Sequence, residues 1–313
     1  MPTNLPPEYF AAEKRFKQAS TPAEKISAME DLIATVPKHK GTDKLRADLR
    51  RRLSLLREEA IKKVKKGGRG NLYTVQKEGA AQIALVGFAN SGKSSLLASL
   101  TNATPVIADY PISTLTPFPG MMPFEDIQFQ LVDLPPIGNE ATDGWVSGIL
   151  RSADVLLLVI DLSEEPEVQA ELLIEQLERW KIVFKRALIA ANKRDLPEAE
   201  ECFGRLVEKY SHLYRCISIS ALKKENLEEL RDAVFEISGI IRVYSKPPKK
   251  EPDLTKPFTI PSGSTILDLA SLIHKDFIFT LKFARIWGSA RFEGQKVQKD
   301  YILKDRDIVE FHV

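Results

Sequence analysis

The stretch Gly87-Phe-Ala-Asn-Ser-Gly-Lys93-Ser94 limits what this chain can become more than any other. It follows a short apolar run, Gln82–Val86, and opens a helical one, Ser94–Leu100. A strand, a glycine-bearing loop and a helix start let successive backbone N–H groups turn inward around an anion, where the helix dipole favours negative charge. Lys93 then offers an ammonium to the β- and γ-phosphates of a nucleotide, and Ser94 offers a hydroxyl to Mg2+. Asn90, Ser91, Gly92 and Ser95 complete the predicted phosphate cradle. An unliganded strand-to-helix turn has no need of all these residues at these spacings.

The texture beyond Ala80 agrees with such a loop. Short apolar runs at Gln82–Val86, Ile127–Val132, Val155–Ile160, Ala187–Ala191 and Tyr214–Ile219 alternate with helical stretches at Ser94–Leu100, Pro166–Trp180, Pro197–Tyr210 and Leu227–Ser238. Alternation of this kind predicts an α/β domain, a mostly parallel sheet with helices on both faces and ligands at the carboxyl ends of its strands. Asp133, at the end of the second run, is placed to hold Mg2+ through water. Asn192-Lys-Arg-Asp195 follows the fourth run, 99 positions after Lys93. Guanine presents an N1–H beside a 2-amino group, and one carboxylate, Asp195, can accept from both; adenine would leave it unpaired at about 1–3 kcal/mol. The stem of Lys193 can lie over the purine, and Asn192 can brace the neighbouring loop. Ser220-Ala221-Leu222 follows the last run, with the Ala221 N–H available to the guanine 6-oxygen.

The flanks differ in character. Between Lys38 and Arg69 stand thirteen Lys/Arg against four Asp/Glu, although the whole chain of 313 residues has a net charge of only +2. Thr21-Pro22-Ala-Glu24 reads as a capping box, and Leu45, Leu49, Leu53, Leu56 and Ala60 form an apolar stripe beside Arg46, Arg50, Arg51 and Arg57. Residues 1–70 are therefore predicted as a basic helical region that meets a polyanion such as RNA. Residues 71–245 would form the nucleotide domain, and Lys246–Pro252, rich in proline and charge, predicts a linker over 246–255. A small unit over 256–313 would follow, with strands at Lys256–Ile260, Phe283–Trp287 and Ile308–Val313, a helix at Thr265–Lys275, and Phe279, Phe283 and Trp287 in its core. The longest apolar run, Val155–Ile160, falls far short of the roughly 20 residues a membrane span needs, and Met1-Pro-Thr-Asn lacks a signal pattern. Two cysteines and four histidines, scattered, predict neither disulfides nor a zinc site. A cytoplasmic protein with no membrane contact is expected.

Gly87–Ser94, Asp133-Leu-Pro, Asn192–Asp195 and Ser220-Ala221 resemble the phosphate, magnesium and base motifs of translation-factor-class GTPases. Tyr110-Pro-Ile-Ser-Thr-Leu115 is similar to the first switch of the Obg branch, which implies that Thr114 closes over Mg2+ and the γ-phosphate, with Thr116 as the alternative. Phe258–Thr265 resembles the opening of a TGS module, a small β-grasp fold. Asn4–Phe10 and Pro37–Thr42 resemble the N-terminal helices of the DRG (developmentally regulated GTP-binding) family. The resemblance implies a P-loop GTPase domain with an N-terminal helical region and a C-terminal TGS domain. It further implies Lys93, Thr114 and Asp133 as catalytic residues, Ser94, Thr114 and Asp133 around Mg2+, and a ribosome or RNA partner met through both ends. Eukaryotic relatives carry an inserted domain between the magnesium and base motifs; only 59 positions separate Asp133 from Asn192 here.

Two residues depart from the pattern. Pro136 stands where the class has a glycine whose N–H contacts the γ-phosphate, and proline has no N–H. Either Ile137 or Gly138 donates in its stead, or the γ-phosphate is sensed poorly. Ile137 occupies the place where many small GTPases carry a water-orienting glutamine; an aliphatic chain there implies slow turnover and dependence on a protein partner or a cation. Asn90 resembles the asparagine of GTPases that use K+, and an amide bracing the loop explains it equally well. The leading expectation is a switch that binds GTP and GDP and hydrolyses GTP slowly. The alternatives are a nucleotide-binding scaffold with little hydrolysis, owing to Pro136 and Ile137, and a small-molecule kinase, for which Asn192–Asp195 would be superfluous.

Overall fold

A computed structural model describes residues 7–18, 22–37, 42, 49–54, 73, 75–101, 116–138, 140–182, 186–248, 250–274 and 276–312. The chain divides into two compact units, residues 1–74 and 75–313. In the first, α1 (Pro7–Gln18), α2 (Pro22–Thr35) and the helical residues 49–54 (α3) bury Ala12, Met29, Leu32, Val36 and Leu49 together. Met29, Leu32 and Ile33, with Val36 just past the helix end, recur at the helical period, so one side of α2 supplies much of this core. On α3 Leu49 is buried and Leu53 half-buried while Arg50, Arg51 and Arg52 are exposed, the division that the leucine stripe predicts. Thr21, Arg46, Arg57 and the basic run 62–70 lie outside the described residues.

Among its described residues the second unit holds two sheets. The larger contains β1 (Gln82–Val86), β2 (Phe118–Phe124), β3 (Ile127–Asp133), β4 (Val155–Asp161), β5 (Ala187–Asn192) and β6 (Arg215–Ser218). Their order is β2-β3-β1-β4-β5-β6, parallel throughout except for β2, which runs antiparallel to β3. Each position of β1, β4 and β5 is buried, as central parallel strands covered on both faces require. Ile83 and Leu85 face a core completed by α4 (Lys93–Leu100) and α8 (Leu227–Ser238). Ala84 and Val86 face the opposite core, closed by α5 (Glu140–Ser152), α6 (Pro166–Arg179) and α7 (Ala199–Tyr210). Neither β2 nor α5 was legible as an element. Two prolines and a glycine interrupt Phe118–Phe124, which an edge strand tolerates, and two glycines dilute the α5 pattern.

The smaller sheet corrects the expected boundary. Its strands are β7 (Ile240–Ser245), β8 (Phe258–Pro261), β9 (Phe283–Trp287), β10 (Gln295–Val297) and β11 (Asp307–His312), in the order β10-β9-β11-β7-β8. Gly239, at φ 60°, ends α8, and the next residue already pairs: Ile240 with Pro261, Ile241 with Ile260, Val243 with Phe258. The proline-rich stretch after Ser245 is thus the connection between two strands of one sheet rather than a linker between domains. Ile241 and Val243 point into the core beneath α9 (Ile266–Ile273), a register that only pairing with β8 and β11 supplies. Thr265 and Asp268 form a capping box at the start of α9. The aromatic expectation is also overturned. Phe279, on the short α10 (Phe277–Thr280), is 84% exposed. Phe283 and Trp287 are half-buried on the outer face of β9, beneath the ammonium groups of Lys296 and Lys246. Alternation along β9 gives the core to Ala284 and Ile286 instead.

One buried cation joins the sheets. Arg242, 3% exposed, donates to Asp305 at 2.7 Å and to Asp126 at 3.0 Å, and is also bonded to Glu125. Its guanidinium lies 4.7 Å from the Phe235 ring centroid. Tyr244 bonds Asp126, and Arg306 reaches Glu125 at 2.7 Å. The β2–β3 turn, with Glu125 in the left-handed region at φ 48°, is therefore held by three side chains of the smaller domain.

Candidate functional site

The carboxyl ends of β1, β3, β4 and β5 and the loop after β6 converge, and the sequence-predicted residues gather there. After β1 the chain turns through Asn90 (φ 62°) and Gly92 (φ 89°) into α4. A Cβ at Gly92 would collide with the side-chain amide of Asn192, so that position requires glycine twice over, for conformation and for space. Lys93 folds back into the loop, donating to the carbonyls of Phe88 at 2.7 Å and Gly87 at 3.1 Å. Burial lowers its pKa to about 8, against the partial support of Asp133. Ser91 is buried, and Asn90 is exposed at the rim. Ser94 and Ser95 sit in the first turn of α4, whose N–H groups lack intrahelical partners.

Ser94 donates its hydroxyl to one oxygen of Asp133 at 2.5 Å. The other oxygen of Asp133 is buried without a partner, and desolvation raises the carboxyl pKa despite the bond from Ser94 and the charge of Lys93. A hydroxyl touching a carboxylate whose second oxygen is orphaned is a hard-oxygen donor set, which fits Mg2+. Thr114, the third expected ligand, lies outside the described residues; Thr116 is exposed.

On the base side Asn192 laces three loops. Its amide nitrogen donates to the Ser91 carbonyl at 2.9 Å, and its amide oxygen accepts the Ala221 N–H at 3.0 Å. The Ala221 N–H, expected to face a purine oxygen, is thus engaged by Asn192 here, and would serve a base by sharing or releasing that bond. Asp195 is half-buried and accepts from the Ser220 hydroxyl at 2.5 Å. Ser220 accepts in turn from the Lys223 N–H, and Leu222 is 78% exposed. Lys193 stands at φ 71° with its ammonium bonded to Asp161, whose other oxygen accepts from Ser163. Asp161 was missed; its signal was a carboxylate ending β4 as Asp133 ends β3.

The sequence profile described as a 50S ribosome-binding GTPase matches residues 82–193, and the TGS domain profile matches residues 241–313, so β7 falls within the latter. A GTP-binding protein of Methanocaldococcus jannaschii is 30% identical, covering 91% of this chain and 91% of its own length. This chain belongs to the Obg/DRG family of GTP-binding proteins with a TGS domain. Developmentally-regulated GTP-binding protein 1 of Xenopus laevis is 28% identical over 91% of this chain and 97% of its own length. Ribosome-interacting GTPase 1 of Saccharomyces cerevisiae is 27% identical over 93% and 98%. The match to the first of these family members spans 364 aligned positions, more than the 313 residues here, so that relative carries insertions which this chain lacks. Among the described residues no helix is long and apolar enough to cross a membrane.

Proposed function

We propose that this family member is a guanine-nucleotide switch that hydrolyses GTP slowly and works on the ribosome or another RNA assembly. The observation that carries the nucleotide reading is the lacing of phosphate loop, base loop and last loop by Asn192, next to a lysine with no anionic ligand of its own in the loop. In the bound state Lys93 exchanges two carbonyls for phosphate oxygens, which hold its ammonium charged to higher pH. Asp195 accepts from the guanine N1–H and 2-amino group while Ser220 fixes its orientation. The Lys193 stem, tethered through Asp161, covers the purine. Ser94 and Asp133, with Thr114, would hold Mg2+. That ion, when bound, neutralises charge on the β- and γ-phosphates. K+ beside Asn90 is a further expectation of this reading. Titration with Mg·GDP, Mg·GTP and Mg·ATP checks the site: micromolar or tighter guanine binding with ATP at least a hundredfold weaker is expected, and equal affinity for ATP defeats the assignment. Asp195→Asn should turn preference toward xanthine nucleotides, because the amide then donates where the carboxylate accepted.

RNA contact rests on the exposed Arg50–Arg52 face and on the charge of residues 38–69, together with the names borne by the profile and the yeast relative. Deleting residues 1–69 should flatten the salt dependence of RNA binding while GDP binding persists. A specific observation favours the scaffold reading as well: Ile137 is buried in the core and offers no group to an attacking water. Single-turnover phosphate release with and without ribosomes, an activating protein and K+ separates the two, since the scaffold predicts no acceleration under any of these conditions.

A further inference from the structure

The segment after Asp133 is latched to the phosphate loop. The Ile137 N–H donates to the Gly87 carbonyl at 3.3 Å. The Ile137 side chain is 7% exposed and packs in the same core as Leu134, Val146 and Ile149. Gly87 has no room to retreat, because its missing Cβ faces the Val159 carbonyl of β4 and the Ser91 hydroxyl. Pro136, just before the latch, has no N–H to give. The position whose glycine N–H contacts the γ-phosphate in this class therefore lacks a donor, and the N–H of the next residue, one of its two possible substitutes, is engaged. Gly138, at φ 93°, is exposed, with nothing within 4 Å of where a Cβ would stand.

The Gly87 carbonyl accepts from both Lys93 and Ile137. When Lys93 leaves for a phosphate, Ile137 keeps the carbonyl to itself, so nucleotide entry strengthens the latch instead of opening it. We infer that Pro136 is a specificity-determining residue: with the latch closed in both nucleotide states, residues 134–138 give no hydrogen bond to a γ-phosphate and add nothing to the affinity for GTP over GDP. The inference rests on the nucleotide-site reading above and concerns only how the third phosphate is read.

The test uses the full-length protein, with GDP and the non-hydrolysable β,γ-imido analogue of GTP as ligands. In the wild type, hydrogen exchange over 134–152 should be the same with either ligand. Pro136→Ala restores the N–H without glycine's freedom, and Pro136→Gly restores both. Each should strengthen analogue binding about tenfold, the worth of one hydrogen bond to a charged group, with GDP affinity held within about twofold. In these variants the exchange of 134–152 should come to depend on the ligand. A wild-type segment whose protection already differs between the two nucleotides overturns the inference, as do variants that leave the affinity ratio unchanged. Wild-type protein that binds neither ligand overturns the nucleotide-site reading itself, a result distinct from both. Should either variant fold poorly, the wild-type exchange comparison still decides.

Discussion

Lys93 and Arg242 are both buried cations, 6% and 3% exposed, yet their surroundings treat them in opposite ways. Arg242 meets three carboxylates and two aromatic rings, and bonding to Asp305 raises its pKa in spite of burial. Lys93 meets two neutral carbonyls and lies near Asp133, whose own pKa burial raises; desolvation lowers Lys93 to about 8. That depression amounts to a strain on the order of 3 kcal/mol borne by the ligand-free loop. Arg242 is a saturated structural cluster that clamps the β2–β3 turn. Lys93 is an unsaturated one, whose missing counter-charge a phosphate would supply. The difference teaches that burial alone says little about function: the balance of partners around the buried charge does.

Breaking the clamp should have the largest effect. Arg242→Leu strands Glu125, Asp126 and Asp305 without their cation and should cost about 3 kcal/mol of stability, the low end of the usual range for a buried pair because these carboxylates are partly exposed. Thermal melting checks this, and GDP affinity of the folded protein should change less than about threefold. Lys93→Met inverts the outcome. GDP affinity should fall about a hundredfold, by calorimetry, while the ligand-free protein melts no lower than the wild type, since a desolvated charge has been removed.

A pH titration sharpens the contrast. The folded pKa of Lys93 lies below its unfolded value, so the unfolded chain binds the extra proton between about pH 8 and 10.5, and ligand-free stability should rise with pH across that window. Nucleotide binding restores the proton, so GDP affinity should fall above pH 8, toward about tenfold per unit. Neither trend should survive in Lys93→Met. The clamp titrates at the other end: Arg242 and Arg306 hold Glu125 below its ordinary pKa, so its contribution is present at neutral pH and is lost as acid takes the pH down through that lowered value. The smallest effect is expected at Phe279, where replacement by Ser should change stability by less than about 0.5 kcal/mol, whereas Ile286→Ala, in the core beneath α9, should cost about 2 kcal/mol.

Much of the nucleotide domain was legible because its signals are local. Val155–Ile160 is apolar throughout since both faces of a central parallel strand are covered, and Gly92-Lys93-Ser94 announces a loop whose backbone can curl around an anion. Signals failed where a partner distant in sequence decides. Phe118–Phe124 becomes a strand only because β3 offers it an edge, and Ile240–Ser245 leaves the nucleotide domain only because β8 and β11 lie beside it. Phe279 reads as core by residue type, yet the short helix that carries it points it to solvent.

The order of residues alone set out the candidate chemistry: a glycine-lysine-serine loop suited to an anion, a carboxylate at a strand end and an Asn-Lys-Arg-Asp tetrapeptide, each defined by short-range spacing that survives without any tertiary context. Tertiary structure alone decided how those groups are occupied. It bound the Ala221 N–H to Asn192, tied Lys193 to Asp161, latched Ile137 to Gly87 and locked Arg242 across two sheets. A hydrogen bond has a reach of about 3 Å, and only the folded chain determines which donors and acceptors, far apart in sequence, come within it.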